Sequence, residues 1–203
     1  MARIGILGGT FNPPHNGHVK MAEAALEALE LDKLVVVPSG SPPHKTVSDD
    51  PGAETRFALT EAAFGGLARV EVSRIELDRE GPSWMVDTLR LIGEANRSSE
   101  LFLILGEDAA LSLPGWKEPE QIVALARIAW VARADGSSTG DVPGVVTSLG
   151  ASDAPILIQM EPVPVSSTEV RALADADSDL SEFVPLAVAA LISGRGLYHR
   201  GSG

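Results

Sequence analysis

Two histidines, His15 and His18, stand three residues apart in the segment Gly8-Gly9-Thr10-Phe11-Asn12-Pro13-Pro14-His15-Asn16-Gly17-His18. At the start of a helix, side chains at that spacing share a face, and Gly17 adds no bulk between them. A helix N-terminus carries unpaired backbone N–H groups and partial positive charge, and glycines let an anion approach the main chain closely. Imidazoles, a hydroxyl and glycines grouped in this way suit the phosphates of a nucleoside triphosphate. A second set, Ser166, Ser167, Thr168 and Arg171, has the same character, because its hydroxyls cluster where a helix would begin and its guanidinium lies one turn in. These residues equally suit an N-cap with Glu169 in the first turn, and the two roles are compatible.

Groups so far apart in the chain need a scaffold that brings them together. Apolar runs at Ile4 to Leu7, Leu34 to Val37, Val70 to Val72, Leu101 to Leu105, Ile128 to Val131 and Ile156 to Met160 read as strands buried on both faces. Helix-like periodicity lies between them at Val19 to Leu29, Ala53 to Leu67, Ser83 to Glu94 and Pro119 to Leu125, and later at Ser167 to Ala174 and Pro185 to Ile192, with Gly194 as the stop. That order predicts an α/β fold with a doubly wound, mainly parallel sheet, helices on both faces and a small helical part over about residues 165–200. Such sheets bind ligands outside the carboxyl ends of their strands. The distinctive loops follow strands: 8–18 after the first, 38–45 after the second, and Gly106-Glu107-Asp108 after the fourth. From Ala134 to Ala154, Gly, Ser, Asp and Pro accumulate, which predicts a loose connection with a short strand at Val145-Val146.

Composition narrows the partners. The chain has 203 residues, 16 Lys and Arg against 28 Asp and Glu, a net charge of −12 and no cysteine. One sizeable core over residues 1–203 fits that length. Long-range repulsion argues against polymeric nucleic acid and anionic membranes, whereas a mononucleotide can be held by a few local cations and helix termini. Disulfides, thiolate metal sites and cysteine nucleophiles are excluded. The N-terminal run ends at Gly8, too early for a secretory h-region, and no run approaches the roughly 20 apolar residues of a membrane span. A cytoplasmic protein is the expectation, and self-association is left open.

The first segment resembles the HxGH signature of the nucleotidyltransferase superfamily, and Val165-Ser166-Ser167-Thr168-Glu169-Val170-Arg171 resembles the ISSTxxR signature of its adenylyl-transferring branch. Further segments are similar to those of the bacterial nicotinate-mononucleotide adenylyltransferases: Pro42-Pro43-His44-Lys45, Pro82-Ser83-Trp84-Met85-Val86-Asp87-Thr88-Leu89, Leu105-Gly106-Glu107-Asp108, Gly115-Trp116-Lys117, and the ending from Val184-Pro185 to Gly196-Leu197-Tyr198. Asn12 replaces the aspartate that the family usually carries, and Trp84 replaces another aromatic residue. Both motif histidines and the arginine are retained.

The resemblance implies a Rossmann-like nucleotidyltransferase domain that transfers the adenylyl group of ATP to nicotinate mononucleotide, with magnesium arriving on the triphosphate rather than in a carboxylate cage. It implies that His18, His15, Lys45 and Arg171 carry catalysis, and that Gly8, Gly9, Thr10, Phe11, Gly106, Asp108, Ser166, Ser167 and Thr168 join them around ATP. Asp108 also suits the N-cap of a short helix from Ala109 to Leu111. For nicotinate mononucleotide the candidates are Thr88, Trp84, Trp116 and Lys117, with Lys45 and Arg133, since an aromatic face can stack on a pyridinium and a hydroxyl or cation can meet its carboxylate or phosphate. Trp130, inside an apolar run, belongs to the core. A phosphate nucleophile is already anionic at pH 7, so positioning and charge stabilisation suffice without a strong base or a covalent enzyme intermediate. Two alternatives stay open: phosphopantetheine adenylyltransferase, and a non-catalytic nucleotide sensor on the same sheet.

Overall fold

A computed structural model describes residues 1–41, 49–132 and 140–199. Its strands are β1 (Ala2–Gly9), β2 (Lys33–Pro38), β3 (Val70–Val72), β4 (Ser99–Gly106), β5 (Arg127–Val131) and β6 (Ile156–Ile158). They form one sheet in the order β3-β2-β1-β4-β5-β6, with every described pairing parallel. The helices are α1 (Asn16–Ala28), α2 (Ala53–Phe64), α3 (Met85–Ala95), α4 (Glu107–Ser112), α5 (Pro119–Leu125), α6 (Val142–Ser148), α7 (Ser167–Asp175) and α8 (Leu186–Arg195). The expected doubly wound α/β architecture is present, with its switch point between β1 and β4.

Alternation along the strands divides the core into two layers. Leu7, Leu34, Val36, Phe102 and Ile104 face one side, where they meet Ala25 of α1, Leu59 and Phe64 of α2, Val170 of α7 and Val188 of α8. Ile4, Ile6, Val35, Val37, Leu103 and Leu105 face the other, against Leu89 of α3, Ala110 of α4, Ile122 of α5 and Val146 of α6. Trp130 is buried in this second layer, as its apolar setting predicts. Two covered faces explain the unbroken apolar strands, since neither side meets water.

Several boundaries differ from the sequence reading, among them the end of α2 at Phe64 and the start of α3 at Met85. Val145-Val146 lies in helix α6 rather than in a strand, because Asp141 accepts a hydrogen bond from the Gly144 N–H at 2.9 Å and Val142 and Val146, one turn apart, are both buried. The part of the expected loose connection before Gly140 lies outside the described residues. Helix α8 passes Gly194 and ends at Gly196, whose φ of 57° is the left-handed geometry that terminates helices. Strand β6 stops at Ile158, and α1 starts at Asn16, earlier than its apolar periodicity indicates, with His15 at the N-cap position and its backbone N–H taken by His18.

Candidate active site

Strand β1 delivers the chain to the carboxyl edge of the sheet, and the turn into α1 there carries Gly8 to His18. His15 is the N-cap of α1 and His18 is its third residue. Their rings lie 3.8 Å apart, centroid to centroid, tilted by 32°. The His15 backbone N–H donates to Nδ1 of His18 at 3.2 Å, which leaves the His18 proton on Nε2. Burial lowers the His15 pKa to about 4; burial, with His15 as neighbour, holds that of His18 well below the usual imidazole range. At pH 7 both are neutral N–H donors. Such donors can stabilise charge that develops on a phosphoryl oxygen and need no proton transfer to do so.

The C-terminal third of the chain ties this turn down. Arg171 donates to the Asn12 carbonyl at 2.7 Å, Ser167 to the Pro13 carbonyl at 2.8 Å, and the Tyr198 hydroxyl to Oδ1 of Asn12 at 2.8 Å. Asn16 bonds the Phe183 and Glu182 carbonyls, which seats the start of α1 on the segment before α8. Ser166 caps α7 through the Glu169 N–H at 3.2 Å, and Thr168 accepts from Arg171 at 3.2 Å. The cap reading of this motif therefore holds for Ser166. Two buried polar atoms at the turn, Nδ2 of Asn12 and Nδ1 of His15, have no hydrogen-bond partner among the described residues.

The remaining residues assigned to ATP divide by what their side chains touch. Gly8, Gly9 and Thr10 are partly exposed at the strand end. A side chain on Gly9 would meet the Phe11 ring at 2.9 Å, whereas one on Gly8 would meet only the flexible end of Met85, so packing constrains Gly9 more than Gly8. Phe11 is buried and packs edge-on to His18, 5.1 Å between centroids, so it supports the imidazole from beneath. Gly106, at the end of β4 beside β1, faces open space. Asp108 is exposed in the first turn of α4; the cap of that helix is Gly106, so Asp108 does not take the capping role its sequence position allowed.

The residues assigned to the acceptor gather at the start of α3. Trp84 caps the helix and packs with Trp116 against the second core layer. Lys117 lies over the Trp84 ring at 5.6 Å and reaches Asp87 at 3.3 Å. Because Met85 packs on Gly8, this cluster adjoins the histidine turn. Thr88 is fully buried, and its hydroxyl donates to Oε1 of Glu76 at 2.6 Å, so in this conformation it turns away from any ligand. Burial raises the Glu76 pKa, with the Thr88 hydrogen bond opposing that rise. Lys45 and Arg133 lie outside the described residues.

Three residues of this region went unseen in the sequence: Arg56, Glu76 and Tyr198. Arg56 did carry a signal, since it shares the buried stripe of α2 with Leu59, Thr60, Ala63 and Phe64 at helical spacing. A charge on an apolar stripe needs partners, and such partners are themselves a prediction.

Residues 6–173 match the model of the cytidylyltransferase-like family. The chain belongs to that family. It is 40% identical over 198 residues to a probable nicotinate-nucleotide adenylyltransferase of Albidiferax ferrireducens, covering 98% of each chain. It is 38% identical to another so named from Roseiflexus sp., covering 97% of this chain and 98% of that one. Among solved structures, the nicotinic acid mononucleotide adenylyltransferase of Plasmodium falciparum complexed with NaAD shares the fold, with a TM-score of 0.76, 17% identity and 98% of both chains covered. As a member of this family the chain is a nucleotidyltransferase, and among its described residues no helix is long and apolar enough to cross a membrane.

Proposed function

We propose that the protein transfers the adenylyl group of ATP to nicotinate mononucleotide, releasing pyrophosphate and nicotinate adenine dinucleotide, a step of NAD biosynthesis set in the cytoplasm. One observation carries the reading: two neutral imidazoles at the start of α1 are joined to Ser167 and Arg171 of α7 through the carbonyls of a single turn. His18 stabilises the α-phosphoryl group as the acceptor phosphate attacks in line. His15, the Gly8–Thr10 backbone and the hydroxyls of Ser166 and Thr168 hold neighbouring phosphates, Ser167 serves ATP by holding the Pro13 carbonyl, and Arg171 both fixes the turn and adds positive charge. Gly106 and Asp108 serve the nucleoside side. Trp84, Trp116 and Lys117 receive the acceptor, and Lys45 and Arg133 join them on the resemblance alone. Relatives so named, similar over almost their whole length, support the choice of acceptor.

Magnesium enters with the nucleotide. Among the described residues no three His, Cys, Asp or Glu side chains converge to hold a cation, so phosphate oxygens and water would be its ligands. The chain's own contribution is to place the two phosphates and to shield the developing charge.

The test mixes protein, ATP and magnesium with nicotinate mononucleotide, nicotinamide mononucleotide or phosphopantetheine in separate reactions and measures pyrophosphate. Release with nicotinate mononucleotide is expected; release with phosphopantetheine alone reassigns the enzyme, and none with any acceptor favours a sensor. In the same assay His18→Ala lowers kcat about a hundredfold, the effect of losing one oxyanion donor, with the thermal midpoint nearly unchanged. A large drop in that midpoint instead makes His18 a structural residue.

A further inference from the structure

Helix α2 buries an arginine. The Arg56 side chain is 1% exposed, and its fork reaches three stretches of chain at once. Nη1 donates to the Thr10 carbonyl at 3.1 Å and also to the Ser39 carbonyl, Nη2 to the Gly40 carbonyl at 3.2 Å, and Nε to Oδ1 of Asp50 at 3.0 Å. Thr10 belongs to the histidine turn after β1, and Ser39 and Gly40 to the segment after β2. The same two segments also meet directly, since the Ser39 N–H donates to the Gly9 carbonyl at 2.9 Å. Ser83, before α3, accepts from the Gly40 and Ser41 N–H groups at 2.9 and 3.1 Å, so the start of the acceptor cluster hangs from the segment that Arg56 holds.

A buried charge is costly unless it is paired and its protons are satisfied. Here the charge meets one carboxylate, and the planar fork aims its remaining donors at backbone carbonyls, a geometry that a lysine ammonium cannot reproduce. An apolar side chain here, like those of Leu59, Ala63 and Phe64 on the same stripe, would fill the space but leave Asp50 and three carbonyls without donors. What an arginine adds is a fixed distance between two loops.

From this geometry we infer that Arg56 is a positioning residue for the transfer reaction: it holds the phosphate-binding turn and the segment bearing the acceptor cluster in one mutual placement. The inference rests on the proposed adenylyl transfer. Misplacing two reactants by about 1 Å can cost on the order of a hundredfold in rate while each is still bound.

The test uses Arg56→Lys, which keeps the charge and loses the fork. With ATP and nicotinate mononucleotide, kcat is expected to fall about 30- to 100-fold while both KM values stay within about threefold, the signature of lost positioning. Amide exchange in peptides covering Ser39 to Ser41 is expected to quicken about tenfold or more, with β4 unchanged, as in local opening. A kcat within about threefold of wild type, or exchange quickened evenly through the sheet, overturns the inference. Should R56K fail to fold, Asp50→Asn takes its place: it leaves the carbonyl bonds and weakens the anchor at Nε, while its amide oxygen still accepts from the Gly52 N–H. A fall of about three- to tenfold in kcat with faster exchange at Ser39 is then expected, and wild-type values overturn the inference. Wild-type protein that releases no pyrophosphate sinks the proposed reaction instead, and the exchange readout then decides on Arg56 by itself.

Discussion

A buried neutral imidazole makes folding compete with protonation. His15 has a folded pKa of about 4 against an ordinary value of 6.5, so between those limits the unfolded chain binds more protons than the folded one. Stability is therefore whole above pH 6.5 and is lost as the pH falls toward 4, by on the order of 3 kcal/mol for this group, with His18 acting in the same direction. Urea unfolding of wild type and His15→Gln at pH 7 and pH 5 checks this: the variant should lose distinctly less stability between the two pH values. At this scale His15, His18 and Arg171 were legible because their types and spacing carry chemistry by themselves. Thr88 shows the limit of that reading. Its hydroxyl is a plausible ligand donor on paper, yet Glu76, twelve residues earlier and not singled out by any motif, takes it at 2.6 Å.

Among the elements, α6 illustrates how a cap can overrule composition. The stretch around it is rich in Gly, Pro and Asp, and Val145-Val146 has strand propensity. Asp141 nonetheless starts a helix by accepting from Gly144, and Gly144 must lack a side chain because a Cβ there would meet that carboxylate. Asp141→Ala should cost about 1 kcal/mol of stability, read from denaturant midpoints, and leave kcat unchanged because α6 packs on the layer away from the histidines. The parallel strands were readable from their apolar runs, and only their ends moved. Helix starts were less so. Helix α1 begins with His15 at the N-cap position, and its apolar periodicity alone does not show that.

For the whole molecule, the histidine turn rests on one core layer and the acceptor cluster of Trp84 and Trp116 on the other. Leu103, fully buried at the middle of β4, lies in the core layer opposite the helices α1 and α7 that carry the histidines and Arg171. Leu103→Ala should remove about 3 kcal/mol and lower the thermal midpoint by about 6–12 °C in a domain of this size, with the KM for ATP preserved because the histidine turn rests on the other layer. Calorimetry beside the pyrophosphate assay decides it; a KM for ATP that rises as the midpoint falls would mean that the two layers are coupled. The parallel, doubly wound sheet predicted from alternation is present because local patterns sum into topology. The bonds of Arg56 to Thr10 and of Tyr198 to Asn12 were hidden because they join backbone carbonyls and side chains far apart in sequence.

The bond from Tyr198 to Asn12 spans 186 positions. A polypeptide still growing on the ribosome therefore makes its histidines long before it receives the clasp that steadies them. Nascent fragments that stop before α7 lack Ser167 and Arg171 as well, so nucleotide capture should arise late and abruptly as synthesis proceeds, rather than strand by strand.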